Sequence, residues 1–129
     1  MLKTALPAAL LLACLSGAIG GCSQKPATPD AAQLAAAEKA RPADPAISQI
    51  YQRSCISCHT SATSTAPVVG FQAAWKPRLE QGMATLVQHA REGYKAMPAK
   101  GFCNDCSDRD LQKLIEFMSA PLANGKEAA

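Results

Sequence analysis

The sequence predicts a small all-α domain, and three observations support this fold class. Apolar residues recur at helical spacing in three stretches, whereas no stretch alternates between apolar and polar residues as a strand does. The part of the chain that can fold, about 75 residues, buries only a marginal core. Its six cysteines indicate that disulfides, a metal or a cofactor help to hold it together. The net charge of +3, spread without a Lys/Arg cluster, argues against a nucleic-acid-binding protein.

The first 21 residues are typical of an export signal. A basic start at Lys3 precedes an apolar run that Pro7 interrupts, and this run is too short and too broken for a membrane-spanning helix. It ends in Ile19-Gly20-Gly21-Cys22, which resembles a bacterial lipobox. We therefore expect residues 1–21 to be a lipoprotein-type signal peptide and Cys22 to be the lipid anchor, with an ordinary signal peptide as the alternative. Export in either form exposes the thiols to an oxidising compartment.

Residues 22–44 are predicted to form a flexible tether. Nine alanines and four prolines fall within residues 23–46. The stretch 30–40 favours helix, but it has no apolar stripe with which to dock. We expect this tether to hold a folded domain, residues 45–120, away from a membrane, and residues 121–129 to form a disordered tail.

The first helix of the domain is predicted to begin at Pro45, with Asp44 as its N-cap. Its apolar face consists of Ile47, Ile50 and Tyr51, with Ser54 beside them. A shorter second helix is predicted over 75–81, with Pro77 near its start.

Two longer stripes predict the remaining helices. The first has the i, i+3, i+4, i+7 spacing, and Gly93 supplies a stop after it. Its members are Met83, Leu86, Val87 and Ala90. The second follows Ser107 and Asp110, which resemble a capping box. Its members are Leu111, Leu114, Ile115 and Met118.

Between the first two helices lies Cys55-Ile56-Ser57-Cys58-His59, the C-x-x-C-H signature of c-type haem attachment. In such a site the two thiols add to the haem vinyl groups, and the histidine that follows becomes the proximal iron ligand. The alternative is a zinc site that uses Cys55, Cys58, Cys103 and Cys106. The two cysteine pairs lie much further apart than in a zinc ribbon, and export disfavours free thiolates.

Met97 is the best candidate for a sixth iron ligand. It lies in the loop Tyr94-Lys95-Ala96-Met97-Pro98, outside every apolar stripe, whereas Met83 and Met118 fit core positions. His89 lies at the edge of a helix and is better explained as a solvated or half-buried side chain. Ligation by histidine and methionine is the arrangement found in cytochromes c.

Residues 51–119 resemble the cytochrome c5 branch of the class I c-type cytochromes. The resemblance rests on the following segments: Cys55–His59, Ala66-Pro67, Ala73-Ala74-Trp75-Lys76-Pro77-Arg78, Gln81-Gly82-Met83, Ala96-Met97-Pro98, Gly101 and Cys103-x-x-Cys106-Ser107-Asp108. It implies the small class I cytochrome c fold, with three to five helices around one covalent haem c. Two departures are Lys95, where the family often has Gly, and Phe71, where Asp is common.

The resemblance also implies roles for individual residues. The carbonyl of Pro67 should accept a hydrogen bond from the His59 ring, and Trp75 and Arg78 are candidate partners of a haem propionate, or else simply pack or face solvent. Cys103 and Cys106 cannot hold a second haem, because Ser107 rather than a histidine follows them. The family implies a disulfide between them, and a redox-active dithiol is the competing interpretation.

Iron held by His59 and Met97 has no open position, which predicts a periplasmic one-electron carrier of positive potential rather than an enzyme. If Met97 is not a ligand, a peroxidase-like haem enzyme or a gas-sensing module is the alternative. The expected partners are redox proteins that dock transiently, such as a reductase and a terminal oxidase. The basic residues Arg91, Lys95 and Lys100 are expected to meet an acidic patch on such a partner, unless they are simply solvated. We also expect the haem-free chain to be largely unfolded.

Overall fold

Within residues 27–122, the part of the chain that the computed structural model describes, the backbone forms six α-helices and no β-strand. The helices are α1 (Ala31–Lys39), α2 (Pro45–Ser54), α3 (Ile56–His59), α4 (Gln72–Leu79), α5 (Met83–Glu92) and α6 (Asp108–Ser119), and a short 3₁₀ segment covers Ala99–Phe102. The predicted all-α class is confirmed. The predicted signal peptide and its Cys22, and residues 123–129 of the predicted tail, lie outside the described residues.

The ends of three helices lie where local sequence predicts them. The Asp44 carboxylate caps α2 by accepting a hydrogen bond from the backbone N–H of Ala46 at 3.0 Å. Ser107 and Asp110 form a capping box at the start of α6. Gly93 ends α5 with a positive φ of 88°, and a Cβ there would lie 3.0 Å from the backbone nitrogen of Ala99. The three predicted caps are therefore confirmed. Local sequence is enough to predict them, because each depends on residues close together in the chain.

Packing of α2 against α6 centres on Tyr51, whose ring meets that of Phe117 edge-on with centroids 5.0 Å apart. The Tyr51 hydroxyl is buried and has no hydrogen-bonding partner within residues 27–122. Burial raises the pKa of Tyr51 to about 12, so this part of the core stays uncharged. Helix α5 packs on α6 and on the 3₁₀ segment, so that the loop that follows α5 is held against the same core.

Helix α4 begins three residues earlier than the predicted 75–81 helix and ends two residues earlier. It starts after a turn at Gly70 and Phe71, where the Gly70 N–H donates to the Met118 carbonyl at 2.8 Å and the Phe71 side chain is buried. Pro77 therefore lies inside the helix rather than near its start. It deprives the carbonyl of Ala73 of its helical donor, but Ala73 is exposed and water can replace that donor.

The prediction that stretch 30–40 has nothing with which to dock is wrong. Asp30 and Gln33 form a capping box at the start of α1. Ala37 is completely buried and Leu34 packs against the core. Leu34 and Ala37, three positions apart, form a narrow apolar contact face. This face is too short to show the i, i+3, i+4, i+7 pattern of an amphipathic helix. The structured part of the chain therefore begins well before residue 45.

The segment after α6 also remains packed. Leu122 is partly buried against the core and contacts the backbone at Gly70, a residue with a φ of 74°. Residue 122 is thus not part of a disordered tail. None of the helices in residues 27–122 is both long and apolar enough to cross a membrane.

Candidate haem-attachment site

The C-x-x-C-H motif lies at the junction of α2 and α3. Cys55 is the residue between the two helices, and its backbone N–H still donates to the Tyr51 carbonyl at 2.9 Å. The next turn is closed by the His59 N–H, which donates to the Cys55 carbonyl at 3.0 Å. Cys55 and His59 are therefore one helical turn apart, with Cys58 in the same short helix.

The side chain of His59 is buried and oriented by a backbone group. Its Nδ1 lies 2.9 Å from the carbonyl oxygen of Pro67, and because a carbonyl only accepts, Nδ1 carries the proton. Burial lowers the pKa of His59, the hydrogen bond to Pro67 raises it, and the charge of Arg78 lowers it further. The ring is thus held as the neutral tautomer whose Nε2 lone pair can bind a metal.

The two thiols of the motif are free of any disulfide. Cys55 is buried, and burial raises the pKa of its thiol to about 11. Cys58 is exposed. Two reduced thiols beside a neutral, oriented imidazole are the chemical groups that covalent haem attachment requires, so the residues fit this group.

Trp75 packs beside the motif, which is one of the two roles expected for it. Its indole N–H, the only donor of that side chain, donates to the Val68 carbonyl at 2.9 Å and is buried. It is therefore not available to a propionate. The Trp75 ring stacks near that of His59, with centroids 6.2 Å apart and planes at 19°. Trp75 instead supports the ring of the histidine and the loop that carries Pro67 and Val68.

Arg78 is half-buried, and one of its N–H groups donates to the Ala74 carbonyl one turn earlier in α4. The guanidinium has several further N–H groups, and its charge acts on His59. Arg78 follows Trp75 by three positions, so it lies on the same side of α4 as the ring that stacks near His59. Its contact with a haem propionate stays a prediction.

Met97 is brought close to the attachment motif. Its backbone pairs with that of Tyr94 through two hydrogen bonds of 3.0 Å, which closes the loop after α5. A Cβ on Gly101 would lie 3.5 Å from both the Met97 methyl carbon and the carbonyl oxygen of Ser54. Since Ser54 directly precedes Cys55, the fold places Met97, the turn at Gly101 and the end of α2 next to one another.

Cys103 and Cys106 form a disulfide with their Cα atoms 5.4 Å apart. Both residues are buried. The zinc alternative needs four thiolates, so it is incompatible with a structure in which two of those sulfurs are bonded to each other. Cys103, Cys106 and Asp105 lie close together, but only Asp105 retains a metal-binding group.

Two of the three basic residues expected to face a partner are engaged within the chain. Arg91 forms ion pairs with Glu92 at 3.3 Å and with Asp108 at 2.7 Å. The ammonium group of Lys100 donates to the carbonyls of Cys106 and Asn104. Among these three residues, only Lys95 has neither an ion pair nor a side-chain hydrogen bond within residues 27–122, and its ammonium lies 5.3 Å from the centroid of the Tyr94 ring. The predicted basic patch is therefore weaker than its composition suggests.

Sequence reasoning missed one contact at this site. Arg53, two residues before Cys55, forms an ion pair with Asp105 across 52 positions of sequence. No motif marks either residue, and only the arrangement of α2 beside the disulfide loop brings them together.

Comparison with protein-family models places residues 42–118 in the family described as "Cytochrome C oxidase, cbb3-type, subunit III". Among curated proteins, cytochrome c5 of Ectopseudomonas mendocina is 40% identical over 72 residues, which cover 54% of this chain and 83% of that protein. Cytochrome c5 of Azotobacter vinelandii is 43% identical over 67 residues, which cover 50% of this chain and 81% of that protein.

Two solved structures have a similar fold. A mono-haem ferrocytochrome c from Shewanella putrefaciens matches with a TM-score of 0.53 and 40% identity, covering 58% of this chain and 93% of that chain. A chain from an electron transfer complex of nitrite reductase with cytochrome c matches with a TM-score of 0.53 and 33% identity, covering 59% of this chain and 93% of that chain.

Proposed function

Because this chain belongs to the cytochrome c5-like family of monohaem class I cytochromes c, we propose that it is an exported one-electron carrier whose haem iron is held by His59 and Met97. Membership of the family makes it an electron-transfer protein with covalent haem c rather than an enzyme. The identity of the axial ligands, the location and the partners are the additional content of the proposal.

The observation that carries the proposal is the position of Met97. Its methyl group lies beside Gly101 and the carbonyl of Ser54, at the end of the helix that leads into the attachment motif. Met97 reaches this position although it follows His59 by a long stretch of chain that includes α4 and α5. The other described methionines, Met83 and Met118, pack with the apolar core, as the sequence predicts.

The haem group, when bound, supplies an iron that takes up and releases one electron. The chain's own residues set the conditions for this exchange. Pro67 fixes the tautomer of His59, so that Nε2 keeps the lone pair that would bind the iron, and the hydrogen bond would make this ligand more basic. A soft thioether from Met97 favours the reduced metal and raises the potential. If His59 and Met97 both hold the iron, it would have no free site for small ligands.

A matched pair of variants tests the ligation. We expect Met97→Ala to abolish the far-red absorption band of methionine-ligated ferric haem and to give rapid carbon monoxide binding in the ferrous state. Met83→Leu, a change at a packed methionine, should retain the band and exclude carbon monoxide. A wild-type protein that is high-spin and binds carbon monoxide rapidly would overturn the proposal and favour a peroxidase-like enzyme or a gas sensor.

We propose in addition that the carrier is held at a membrane by a lipid on Cys22 and exchanges electrons in the periplasm with larger redox proteins. A structural relative occurs in a complex with nitrite reductase, which supports a redox enzyme as the class of partner. Cys22→Ser should move the protein from the membrane to the soluble fraction, whereas retention would favour an uncleaved signal anchor. If Lys95 contributes to docking, electron transfer should slow as ionic strength rises.

A further inference from the structure

We propose that Arg53 and Asp105 are positioning residues for the distal iron ligand. Their ion pair joins the last turn of α2, next to the haem-attachment cysteine, to the disulfide loop 103–106, and this loop in turn holds the segment that carries Met97. The inference rests on the proposed ligation of iron by Met97.

The contact between the two residues is close and involves both oxygens of the carboxylate. Nη2 of Arg53 lies 2.8 Å and 2.7 Å from the two carboxylate oxygens of Asp105. The same nitrogen lies 3.4 Å from Sγ of Cys103. The hydrogen bond from Arg53 to Asp105 lowers the pKa of Asp105, so the carboxylate is charged at neutral pH. Arg53 therefore covers one sulfur of the buried disulfide while it holds the loop that contains both cysteines.

A second tie connects this loop to the segment after Met97. The ammonium group of Lys100 donates to the Cys106 carbonyl at 2.8 Å and to the Asn104 carbonyl at 3.2 Å. The Cys103 N–H donates to the Lys100 carbonyl at 3.0 Å. With the disulfide, these bonds make residues 98–106 a single cross-linked unit, which we call the distal loop.

The distal loop has a backbone conformation that needs such restraints. Lys100, Gly101 and Phe102 have positive φ values of 55°, 57° and 66° in succession. A left-handed conformation is unfavourable for the two non-glycine residues, and the ring of Phe102 is 78% exposed and contributes little packing. Of these three residues only Gly101 is buried, so the left-handed conformation of Lys100 and Phe102 depends mainly on the ties at the edges of the loop.

The distal loop begins directly after Met97. Gly101 is the point at which the loop meets both the Met97 methyl group and the carbonyl of Ser54. Arg53, the residue before Ser54, binds Asp105 of the same loop. Two consecutive residues of α2 therefore lie against the distal loop, Ser54 with its backbone carbonyl beside Gly101 and Arg53 with its side chain on Asp105.

The exposure of the two side chains sets how strongly loss of the ion pair should affect the distal loop. The side chains of Arg53 and Asp105 are 49% and 69% exposed, and exposed ion pairs contribute little to global stability. Loss of the pair should therefore appear as more frequent local opening of the distal loop. The range measured for exposed pairs corresponds to an increase of about 1.5- to 5-fold in the frequency of such opening.

The test uses the haem-loaded protein and the variants Arg53→Gln, Asp105→Asn and Lys113→Gln. The last is a matched control: Lys113 pairs with Asp44 at 3.0 Å, its side chain is 47% exposed, and the pair lies on another part of the surface. The measurement is the rate at which imidazole replaces the methionine in the ferric protein at fixed pH and saturating imidazole. Arg53→Gln and Asp105→Asn should both raise this rate about 1.5- to 5-fold, and Lys113→Gln should leave it unchanged.

An electrostatic effect of the ion pair on the iron and a positioning effect on the distal loop predict different changes in the rate of imidazole binding. If the pair acted only through its electrostatic field at the iron, removing a positive and a negative charge would change the rate in opposite directions. Positioning predicts an increase in both variants, and Arg53→Lys, which retains a donor, should restore part of the wild-type rate. Reduction of the Cys103–Cys106 disulfide by dithiothreitol should also be faster in the same two variants, a readout that does not involve the iron.

Failure of the inference and failure of the proposed function are distinguishable. If the wild-type protein shows the methionine–iron band but the Arg53 and Asp105 variants match Lys113→Gln in both rates, the positioning role is wrong and the ligation stands. If the wild-type protein lacks the band, ligation by Met97 is wrong and the positioning proposal is overturned with it.

Discussion

The carbonyl oxygen of Pro67 lies 2.9 Å from Nδ1 of His59, and this contact connects the loop after α3 to the histidine of the attachment motif. A second contact holds the same loop, since the N–H of Val69 donates to the carbonyl of His59 at 2.9 Å. The backbone of this loop thus determines both the tautomer and the orientation of the ring.

Relaxing this contact should change the potential of the haem. In Pro67→Gly the carbonyl is retained but the backbone becomes more mobile, so the hydrogen bond to His59 weakens and the imidazole becomes less basic. A less basic ligand stabilises the ferric state less. We expect the midpoint potential to rise by less than about 59 mV, the value for a tenfold change in a one-electron equilibrium. Potentiometric titration measures the shift, and a downward shift would contradict the assignment.

Trp75→Phe tests whether the indole N–H has a structural role. The substitution leaves the Val68 carbonyl, to which Trp75 donates, without its partner in a buried location. We expect a loss of about 1–3 kcal/mol in the free energy of unfolding, measured by denaturant titration of the holoprotein. The midpoint potential should change little, because Trp75 has no further donor for a propionate. A large shift in potential with unchanged stability would restore the propionate role.

Substitution of Ala37 tests the docking of α1. Ala37 is completely buried, so Ala37→Leu should overpack the contact and reduce the free energy of unfolding by about 1–3 kcal/mol. Ala35 is an exposed residue of the same helix, and Ala35→Leu is the matched control with little expected effect. Thermal unfolding of the wild-type protein and both variants measures the difference in stability. Equal stabilities would indicate that α1 is not held against the domain in solution.

The capping box of α6 predicts a stability difference that depends on pH. The Ser107 hydroxyl and backbone N–H both donate to the Asp110 carboxylate, at 2.7 Å and 2.9 Å, and lower the pKa of Asp110. A carboxyl with a lowered pKa stabilises the fold above its unfolded pKa of about 3.9 and loses that contribution as the pH falls through the folded value. Ser107→Ala should therefore cost about 1 kcal/mol at neutral pH and less below about pH 4.

Unfolding of the wild-type protein and Ser107→Ala at both pH values provides this measurement. Asp110→Asn serves as the second variant, because it removes the titrating group while it retains an oxygen acceptor. A difference between wild type and Ser107→Ala that is the same at both pH values would contradict the role of the Asp110 charge.

Local sequence is sufficient to predict the attachment motif, the all-α class and the caps at Asp44, Gly93 and Ser107. Each of these is encoded within a few consecutive residues, where spacing and backbone preference act without the rest of the chain. The position of Pro77 predicts a start of α4 that is three residues too late. The helix follows a turn that Gly70 and Phe71 form against α6, and this contact is not encoded near Pro77.

Tertiary packing determines how these local elements are used. It directed the indole N–H of Trp75 to the Val68 carbonyl, docked α1 through Ala37, and joined Arg53 to Asp105 across 52 positions of sequence. These contacts form between residues that meet only when α2, α4 and α6 have packed around a common core. Their energies depend on burial and on the distance between groups, and neither quantity is present in the order of the residues.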